Sequence, residues 1–201
     1  MKKILTFILV ALAATALTSC EEGDSQKDLG FPVIYIPQAA YTGLDNSYPV
    51  PAGPLSQYRS CNCSVKDGRL DIILGGTRAG FIADKKGFSV ALGECRSETD
   101  RKLAEYEENG TPAMALPEGT FSFPSKIEVP AGESEATCMV SVDLGALAAH
   151  KAEIVDGESC KLLLLGLEIT NPSAYELAES NTNVVIVIDP ASENWEGQAI
   201  L

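Results

Sequence analysis

The sequence is poor in the residues that most enzyme sites use. It holds a single histidine, His150, in the alanine-rich stretch 145–151, where a solvated or capping role is more typical than a catalytic one. A serine or cysteine nucleophile needs a nearby base, most often histidine. Glycosidase chemistry needs two carboxylates across a cleft, and no acidic pair stands out. We therefore predict no catalytic residues and a protein that is not an enzyme, with a glycoside hydrolase as the least favoured alternative.

Basic residues are also few. The chain has 15 Lys and Arg against 28 Asp and Glu, a formal net charge of −13. Nucleic acids and anionic lipid surfaces bind clustered Lys and Arg. The composition therefore argues against nucleic acid as a partner and fits a soluble, surface-displayed protein.

Cysteines show no metal-binding spacing. Besides Cys20 the chain contains Cys61, Cys63, Cys95, Cys138 and Cys160. The Cys61-Asn62-Cys63 spacing is not that of a zinc knuckle or a thioredoxin-type motif, so we expect no metal and no cofactor. The five cysteines allow one disulfide, whose partners the sequence does not specify. Cys138 lies on the apolar phase of a strand pattern and is expected to be a small buried hydrophobe.

No apolar run in the N-terminal region reaches the roughly 20 residues of a membrane-spanning helix. Residues 4–17 form an apolar run of about 14 residues after Lys2 and Lys3, which is typical of a secretory signal. The run closes in Leu17-Thr18-Ser19-Cys20, which resembles the bacterial lipobox. We predict that residues 1–19 are removed and that Cys20 is acylated; an ordinary signal peptide is the alternative. Two or three acyl chains suffice for stable membrane anchoring.

Residues 20–30 are predicted to be a flexible acidic tether, because they carry too little apolar surface to fold. Their acidic run 21–28 resembles the export signal of Bacteroidetes lipoproteins. The resemblance implies an outer-membrane protein, lipid-anchored and facing the cell exterior. A plain solvated linker is the alternative, and a periplasm-facing orientation stays open. Loss of Lys2 and Lys3 with the signal changes the net charge to −15.

Residues 31–190 show the alternation of strands. Strands are predicted at 33–36, 69–74, 88–92, 121–123, 126–129, 135–142, 161–169 and 183–189. The last two are nearly continuous apolar runs, as in central strands buried on both faces. Gly75-Gly76 is predicted to end the second strand, and the proline-rich stretch 41–60 is predicted to be loop.

Two patterns give a finer expectation. In strand 135–142 we expect one phase to face the core and the other to face water; the inward residues are Ala136, Cys138, Val140 and Val142, and the outward residues are Glu135, Thr137 and Ser141. Ser97 is the expected N-cap of one short helix, with Leu103 and Tyr106 on one face and Asn109-Gly110 as its stop. Six or more strands with one helix favour an immunoglobulin-like antiparallel β-sandwich, followed by a C-terminal tail, residues 191–201.

The order of motifs resembles a known domain. The motifs are Val33–Ala39, Phe88–Leu92, the helix with Tyr106, Leu116–Phe121, Ile127–Ser134, Leu167–Ser173 and Val184–Asp189. Over residues 31–190 they resemble a Bacteroidetes surface-lipoprotein domain of unknown function, family 1735. The resemblance implies an immunoglobulin-like N-terminal module of polysaccharide-utilisation lipoproteins, in which lectin-like or glycoside-hydrolase domains often follow. Since this sequence ends about a dozen residues after its last strand, we expect the chemistry-bearing module to be missing. The family brings no functional residues to carry over.

Aromatic residues make up only 6% of the chain, and those in loops are the candidates for sugar stacking. Tyr41, Tyr48 and Tyr58 fall in the stretch 41–60, and Trp195 falls in the tail. The alternative is that these rings pack the loops onto the domain. The leading hypothesis is a non-catalytic cell-surface lipoprotein, an accessory module for glycan capture or for assembly with outer-membrane proteins. The second is a direct carbohydrate-binding protein that uses the loop aromatics.

Overall fold

The computed structural model describes residues 31–43, 45–53, 62–80, 86–157, 159–198 and 200–201. The predicted signal 1–19, the tether 20–30 with Cys20, and also Tyr58 and Cys61 lie outside the described residues. The strands are β1 Val33–Tyr35, β2 Ser47–Val50, β3 Cys63–Lys66, β4 Arg69–Arg78, β5 Phe88–Glu94, β6 Ala113–Ala115, β7 Phe121–Ser122, β8 Lys126–Val129, β9 Glu135–Asp143, β10 Val155–Asp156, β11 Ser159–Cys160, β12 Leu162–Thr170, β13 Glu176–Leu177 and β14 Asn183–Ile188. The helices are α1 Arg96–Glu108, α2 Leu144–Ala148 and α3 Lys151–Ile154, with short 3₁₀ turns at Pro37–Ala40 and Glu193–Trp195.

Twelve of the fourteen described strands form two six-stranded sheets, so the prediction of a mostly β protein is confirmed. The first sheet has the order β13-β1-β4-β9-β7, with β3 also paired to β4; the second has the order β2-β14-β12-β5-β8, with β6 also paired to β12. The pairs β1–β13, β2–β14 and β6–β12 are parallel, so the expectation of a purely antiparallel fold is wrong for them. Each of these pairs joins strands distant in sequence, a relationship that the pattern within one strand does not reveal.

The two sheets share one hydrophobic core. It joins Ile72 and Val140 of the first sheet to Leu165 and Ile186 of the second. All four side chains are at most 3% exposed. Burial of alternate residues on both sheets is the main stabilising term, since apolar surface contributes about 25 cal/mol per Å² removed from water.

The prediction that residues 161–169 and 183–189 are buried on both faces is confirmed. Along β12 and β14 one phase of side chains faces the shared core, while Leu164, Val185 and Val187 form a second cluster on the outer face. Leu103 and Tyr106 of α1 pack on that second cluster. The helix therefore covers the outer face of the second sheet, and this explains why neither phase of these strands is polar.

The prediction that Gly75-Gly76 ends a strand is wrong. β4 continues through both glycines to Arg78, and its pairing with β9 extends from Arg69–Asp143 to Thr77–Glu135. A side chain at Gly76 would meet Ile127 of the opposite sheet at 3.4 Å. Glycine inside a strand often marks a place where another part of the chain approaches closely, and here Ile127 of the opposite sheet covers Gly76.

The prediction of loop throughout 41–60 is wrong for residues 47–50. These residues form β2, which lies parallel to β14, with Tyr48 opposite Ile186. Pro49 is tolerated because β2 is an edge strand of the second sheet. The pairing partner lies more than 130 residues away, so nothing within the stretch itself indicated a strand.

The predicted phase of β9 is mostly confirmed. Val140 and Val142 are fully buried, while Ala136 and Cys138 are partly buried against the core. Glu135 and Thr137 are exposed as expected. The prediction that Ser141 faces water is wrong, because Ser141 is only 7% exposed. Its hydroxyl donates to Asp71 on the neighbouring β4, and this polar cross-strand partner allows the serine to be buried.

The helix occurs where it was expected but begins one residue earlier than the predicted cap. α1 starts at Arg96, and the residue before it is Cys95, which makes no side-chain capping bond. The Cys95 N–H instead donates to the Gly166 carbonyl of β12 at 2.8 Å. The helix ends at Glu108, immediately before Asn109-Gly110, as predicted.

Three of the described cysteines, Cys95, Cys138 and Cys160, are free thiols. Burial raises the pKa of the Cys138 thiol to about 11. Cys138 therefore stays neutral at physiological pH and behaves as the small hydrophobe expected of it. Within the ranges that the structure describes, no helix has the length and apolar character needed to span a bilayer.

Candidate functional site

The predicted aromatic site does not assemble as expected. Tyr41 is 53% exposed, but Tyr48 and Trp195 are each 3% exposed. Tyr48 packs edge-on against Tyr41 with ring centroids 5.6 Å apart, and the Trp195 indole N–H donates to the Asp189 carbonyl at 2.7 Å. The rings of Tyr48 and Trp195 thus pack their segments onto the domain, as the alternative interpretation had it. Their faces are not available to a sugar. Tyr58 lies outside the described residues.

His150 takes no part in a nucleophilic site in the described part of the chain. It is the residue before α3, and its Nδ1 lies 3.4 Å from Glu153 Oε1. This contact lies between neighbouring turns at the surface and fits the expected solvated role.

A polar cleft of about 310 Å³ lies among the described residues. Its wall comes from three segments: the turn before β2, the first half of α1, and the loop before β14. The lining residues are Asp45, Asn46, Glu98, Arg101, Glu179, Ser180, Asn181, Thr182 and Asn183. We call this site the polar cleft.

Asn46 links all three walls of the polar cleft. Its side-chain amide donates to Glu98 Oε2 at 3.1 Å and to the Asn183 side-chain oxygen, while its own Oδ1 accepts from Arg101 at 3.0 Å. Its backbone carbonyl accepts from the N–H of Val185 on β14 at 2.9 Å. The φ angle of Asn46 is 50°, a left-handed conformation that Asn tolerates better than most residues.

Glu98 and Arg101 form an ion pair one helical turn apart. Arg101 Nε and one terminal nitrogen donate to Glu98 Oε2 at 3.0 and 2.8 Å. Burial raises the pKa of Glu98, but the hydrogen bonds from Arg101 and Asn46 outweigh it and hold the pKa below its ordinary value. Glu98 is therefore ionised and its charge is paired within the protein.

Lys102 connects α1 to the turn before β2. Its side chain is 2% exposed, and Nζ lies 3.2 Å from Asp45 Oδ2 and 3.0 Å from Glu105 Oε1. Burial lowers the pKa of Lys102, yet the two carboxylates outweigh it and keep the pKa above its ordinary value. Lys102 Nζ also stands 5.7 Å from the centre of the Tyr106 ring.

Asp45 is held by three donor groups. Burial raises its pKa, but the Thr42 hydroxyl, the Ser47 backbone N–H and Lys102 all donate to it, and together they depress the pKa well below the ordinary range. Thr42 also donates to the Ser47 carbonyl at 3.0 Å. The turn is therefore rigidly built, with its carboxylate half exposed to the cleft.

The third wall is fixed by backbone hydrogen bonds. The N–H of Ile36 donates to the Asn181 carbonyl, and the N–H of Ile169 donates to the Thr182 carbonyl, both at 2.8 Å. Asn181 has a φ of 62°. This loop thus joins both sheets and presents Glu179 and Ser180, which are exposed, to the polar cleft.

Two further clefts lie elsewhere among the described residues. One, of about 250 Å³, is lined by Arg69, Asp143 and residues of 119–122 together with Ser141; the other is lined by residues 87–89, 128–131 and Ser173. Strand pairing joins the segments of both clefts, but among the described residues no side chain of their lining bonds to two other segments, as Asn46 does in the polar cleft. Throughout the described ranges, no group of three or more His, Cys, Asp and Glu side chains converges so as to hold a metal ion.

Sequence reasoning missed the polar cleft. Its residues are Asn, Asp, Ser and Thr of turns together with helix charges, which are common on any surface. Asn46 and Asn183 lie 137 residues apart, so only the pairing of β2 with β14 brings them together. The useful signal was the loop assignment itself, since binding residues often lie in loops that a rigid scaffold positions.

Similarity to known proteins is found at the level of the fold. No family model matches the chain, and no curated protein matches it. A Bacteroides ovatus protein of unknown function superposes with a TM-score of 0.51 at 12% identity, over 78% of this chain and 46% of that one.

Two further Bacteroides ovatus structures are also similar. A candidate carbohydrate-binding protein gives a TM-score of 0.48 at 11% identity, over 79% of this chain and 37% of that one. A multidomain protein that includes DUF1735 gives 0.45 at 13% identity, over 73% and 40%. This chain thus spans less than half the length of each of the three. The similarity to Bacteroides structures agrees with the predicted resemblance to a Bacteroidetes domain, and at these identities it concerns the fold alone.

Proposed function

We propose that the protein is a non-catalytic cell-surface lipoprotein whose polar cleft captures glycan for neighbouring outer-membrane proteins. The observation that carries this proposal is the cleft held together by Asn46, because it is a prebuilt concave site whose lining residues all carry hydrogen-bonding side chains. Binding sites for small ligands are typically concave and largely preformed. A site this polar suits a ligand that is itself covered in hydroxyls.

The chemistry of the lining supports a sugar ligand. Each sugar hydroxyl both donates and accepts, so it needs amides, hydroxyls and carboxylates side by side. Asn181, Ser180 and Thr182 offer both functions on one loop, and Asp45 offers a half-exposed acceptor opposite them. Tyr41, four residues before Asp45 and outside the lining of the cleft, has an exposed ring that suits the apolar face of a pyranose.

The electrostatics of the cleft support capture rather than cleavage. A glycosidase needs a general acid whose pKa is raised, so that it holds a proton at neutral pH. The pKa values of Asp45 and Glu98 are both lowered, and their carboxylates already accept hydrogen bonds from protein cations. Two of the three cleft acids are therefore suited to holding structure and ligand in place.

We further propose an immunoglobulin-like sandwich as the architecture. The chain passes repeatedly between the sheets, with β1, β4 and β9 in the first and β2, β5 and β12 in the second. Such crossings around one shared core are the arrangement of Greek-key sandwiches. The two ends of the sheets then carry loops, and the polar cleft lies among them.

The anchor belongs to the same proposal. With Cys20 acylated, the protein would remain on the outer membrane after a high-salt wash, since the acyl chains insert into the bilayer. Cys20→Ala should release it into the soluble fraction. Retention of the variant on the membrane would contradict the anchor, and protease shaving of intact cells distinguishes the outer from the periplasmic face.

Glycan binding is tested on an array of plant, microbial and host polysaccharides, with reducing ends measured in parallel. We expect retention of at least one glycan without release of reducing sugar. Asn46→Gly removes the amide that links the walls while keeping the left-handed backbone accessible, and it should weaken binding about tenfold or more. Asp67→Asn, at another left-handed position in the β3–β4 turn, is the matched control. Binding that survives Asn46→Gly unchanged would place the site elsewhere, and release of reducing sugar would overturn the non-catalytic proposal.

A further inference from the structure

The cations near the polar cleft are already engaged by the protein. The Arg101 guanidinium donates to Glu98 and Asn46 and lies 3.7 Å from Glu105. Lys102 Nζ is divided between Asp45 and Glu105 and is almost fully buried. Lys102 cannot turn to an incoming anion without leaving the carboxylates to which it is hydrogen-bonded. Arg101 is 49% exposed, but its charge is paired with Glu98.

The acidic side of the cleft is not compensated in the same way. Asp45 is half exposed despite its bond to Lys102. Glu179 is exposed on the cleft rim, and the ion pairs that the described residues form around the cleft do not include it. The surface that a ligand would meet therefore carries net negative charge, over and above the negative charge of the chain as a whole.

We infer that the polar cleft selects uncharged or cationic glycans over anionic ones, with Glu179 as the specificity-determining residue; this inference rests on the proposed glycan-binding function. Uronate, sialate, sulfate or phosphate groups placed in the cleft would face Asp45 and Glu179, and the cation of the lining, Arg101, already shares its charge with Glu98. Amide-bearing and hydroxyl-bearing sugars meet only donors and acceptors that suit them. Like-charge contacts are a recognised means of rejecting wrong ligands.

The experiment uses the purified protein on matched pairs of glycans that differ in charge. The pairs are asialo and sialylated biantennary N-glycans, desulfated and sulfated N-acetyllactosamine repeats, and galactan and polygalacturonan. The expected result is at least tenfold weaker binding of the anionic member of a bound pair at low salt. The reason is that an anionic sugar group a few ångströms from the carboxylates of the cleft is repelled by them. The difference should shrink as ionic strength rises and the Debye length falls.

Glu179→Lys tests the assigned residue. The variant should narrow or reverse the preference within a pair while keeping affinity for the neutral member within about threefold. Glu153→Lys makes the same change of net charge on α3, where the exposed Glu153 carboxylate contacts only His150 in the described residues. α3 follows the end of β9 that pairs with Arg69, whereas the loop 179–183 meets β1 near the opposite end of β4. The control variant should therefore leave the preference unchanged.

The outcomes separate the two proposals. Equal or tighter binding of the anionic members would overturn the inference and leave glycan capture intact. Equal effects of Glu179→Lys and Glu153→Lys would also overturn it, because the preference would then come from overall charge. Failure to retain any glycan would overturn the proposed function, and the inference with it.

Discussion

The N–H of Gly166 on β12 donates to the Thr99 hydroxyl on α1 at 2.8 Å, so a helix side chain completes the hydrogen bonding of a strand. In return, the Gly166 carbonyl accepts from the N–H of Cys95. A Cβ at position 166 would stand 2.8 Å from Thr99 Oγ1 and closer still to the Cys95 carbonyl oxygen. Glycine at 166 is therefore what allows the first turn of α1 to lie against the second sheet.

Gly166→Ala should destabilise the domain by about 1–3 kcal/mol, because the added methyl meets backbone that cannot move without shifting the helix. The measurement is urea-induced unfolding followed by circular dichroism. Gly93→Ala is the control, since a Cβ at Gly93 of β5 has nothing within 4 Å, and it should change stability by less than about 0.5 kcal/mol. Equal midpoints for the two variants would contradict the close contact.

The secondary structure was largely predictable where the pattern within a segment decides it. The alternation in residues 135–142 identified β9 because one face is wet and the other dry. The apolar runs that became β12 and β14 indicated burial on both faces. The sequence could not show which element covers the outer face, since the contacts of Leu164 with Leu103 and Tyr106 of α1 depend on tertiary packing.

The candidate site was less predictable, because contacts between distant segments decide which of its residues are exposed and which come together. Tyr41, Tyr48 and Trp195 were chosen as exposed loop aromatics, but burial is decided by what lies opposite each ring. Tyr48 belongs to a strand that pairs with β14, and Trp195 finds a carbonyl for its indole N–H. Asn46 gave no local signal, because its three partners come from two other segments of the chain.

Val140→Asp tests the phase of β9. Val140 is fully buried between the sheets, so an unpaired carboxylate there should cost several kcal/mol. Thr137→Asp, three positions earlier on the exposed face, should cost less than about 1 kcal/mol. Thermal unfolding of both variants provides the comparison, and similar melting temperatures would contradict the assigned faces.

Lys102→Met should destabilise the protein by about 1 kcal/mol. The methionine fills the same volume, while Asp45 and Glu105, both close to half exposed, can be hydrated once the ammonium is gone; a fully buried pair would lose more. Lys102→Ala should cost a further 1–2 kcal/mol or so, because it also leaves a cavity beneath α1. Chemical denaturation of the two variants separates charge from packing. An equal loss in both would mean that the methylene stem contributes nothing.

The stability of the domain should fall as the solution is made acidic. The folded state holds the pKa values of Asp45 and Glu98 below the ordinary 3.8 and 4.5, so the unfolded chain takes up protons first as the pH drops. Stability from these groups is therefore fully present above about pH 5.5, and is lost progressively as the pH falls through the ordinary pKa values towards the lower pKa values of the folded state.

Asp45→Asn and Glu98→Gln should each be less stable than the wild type at pH 7, and the difference should shrink between pH 5 and pH 2. Glu153→Gln removes one carboxylate from the distant α3 and should follow the wild-type profile. Free energies of unfolding from denaturant titrations at each pH measure the trend. A difference between Asp45→Asn and the wild type that stays constant across this range would mean that the carboxylate is not held by Thr42, Ser47 and Lys102 in solution.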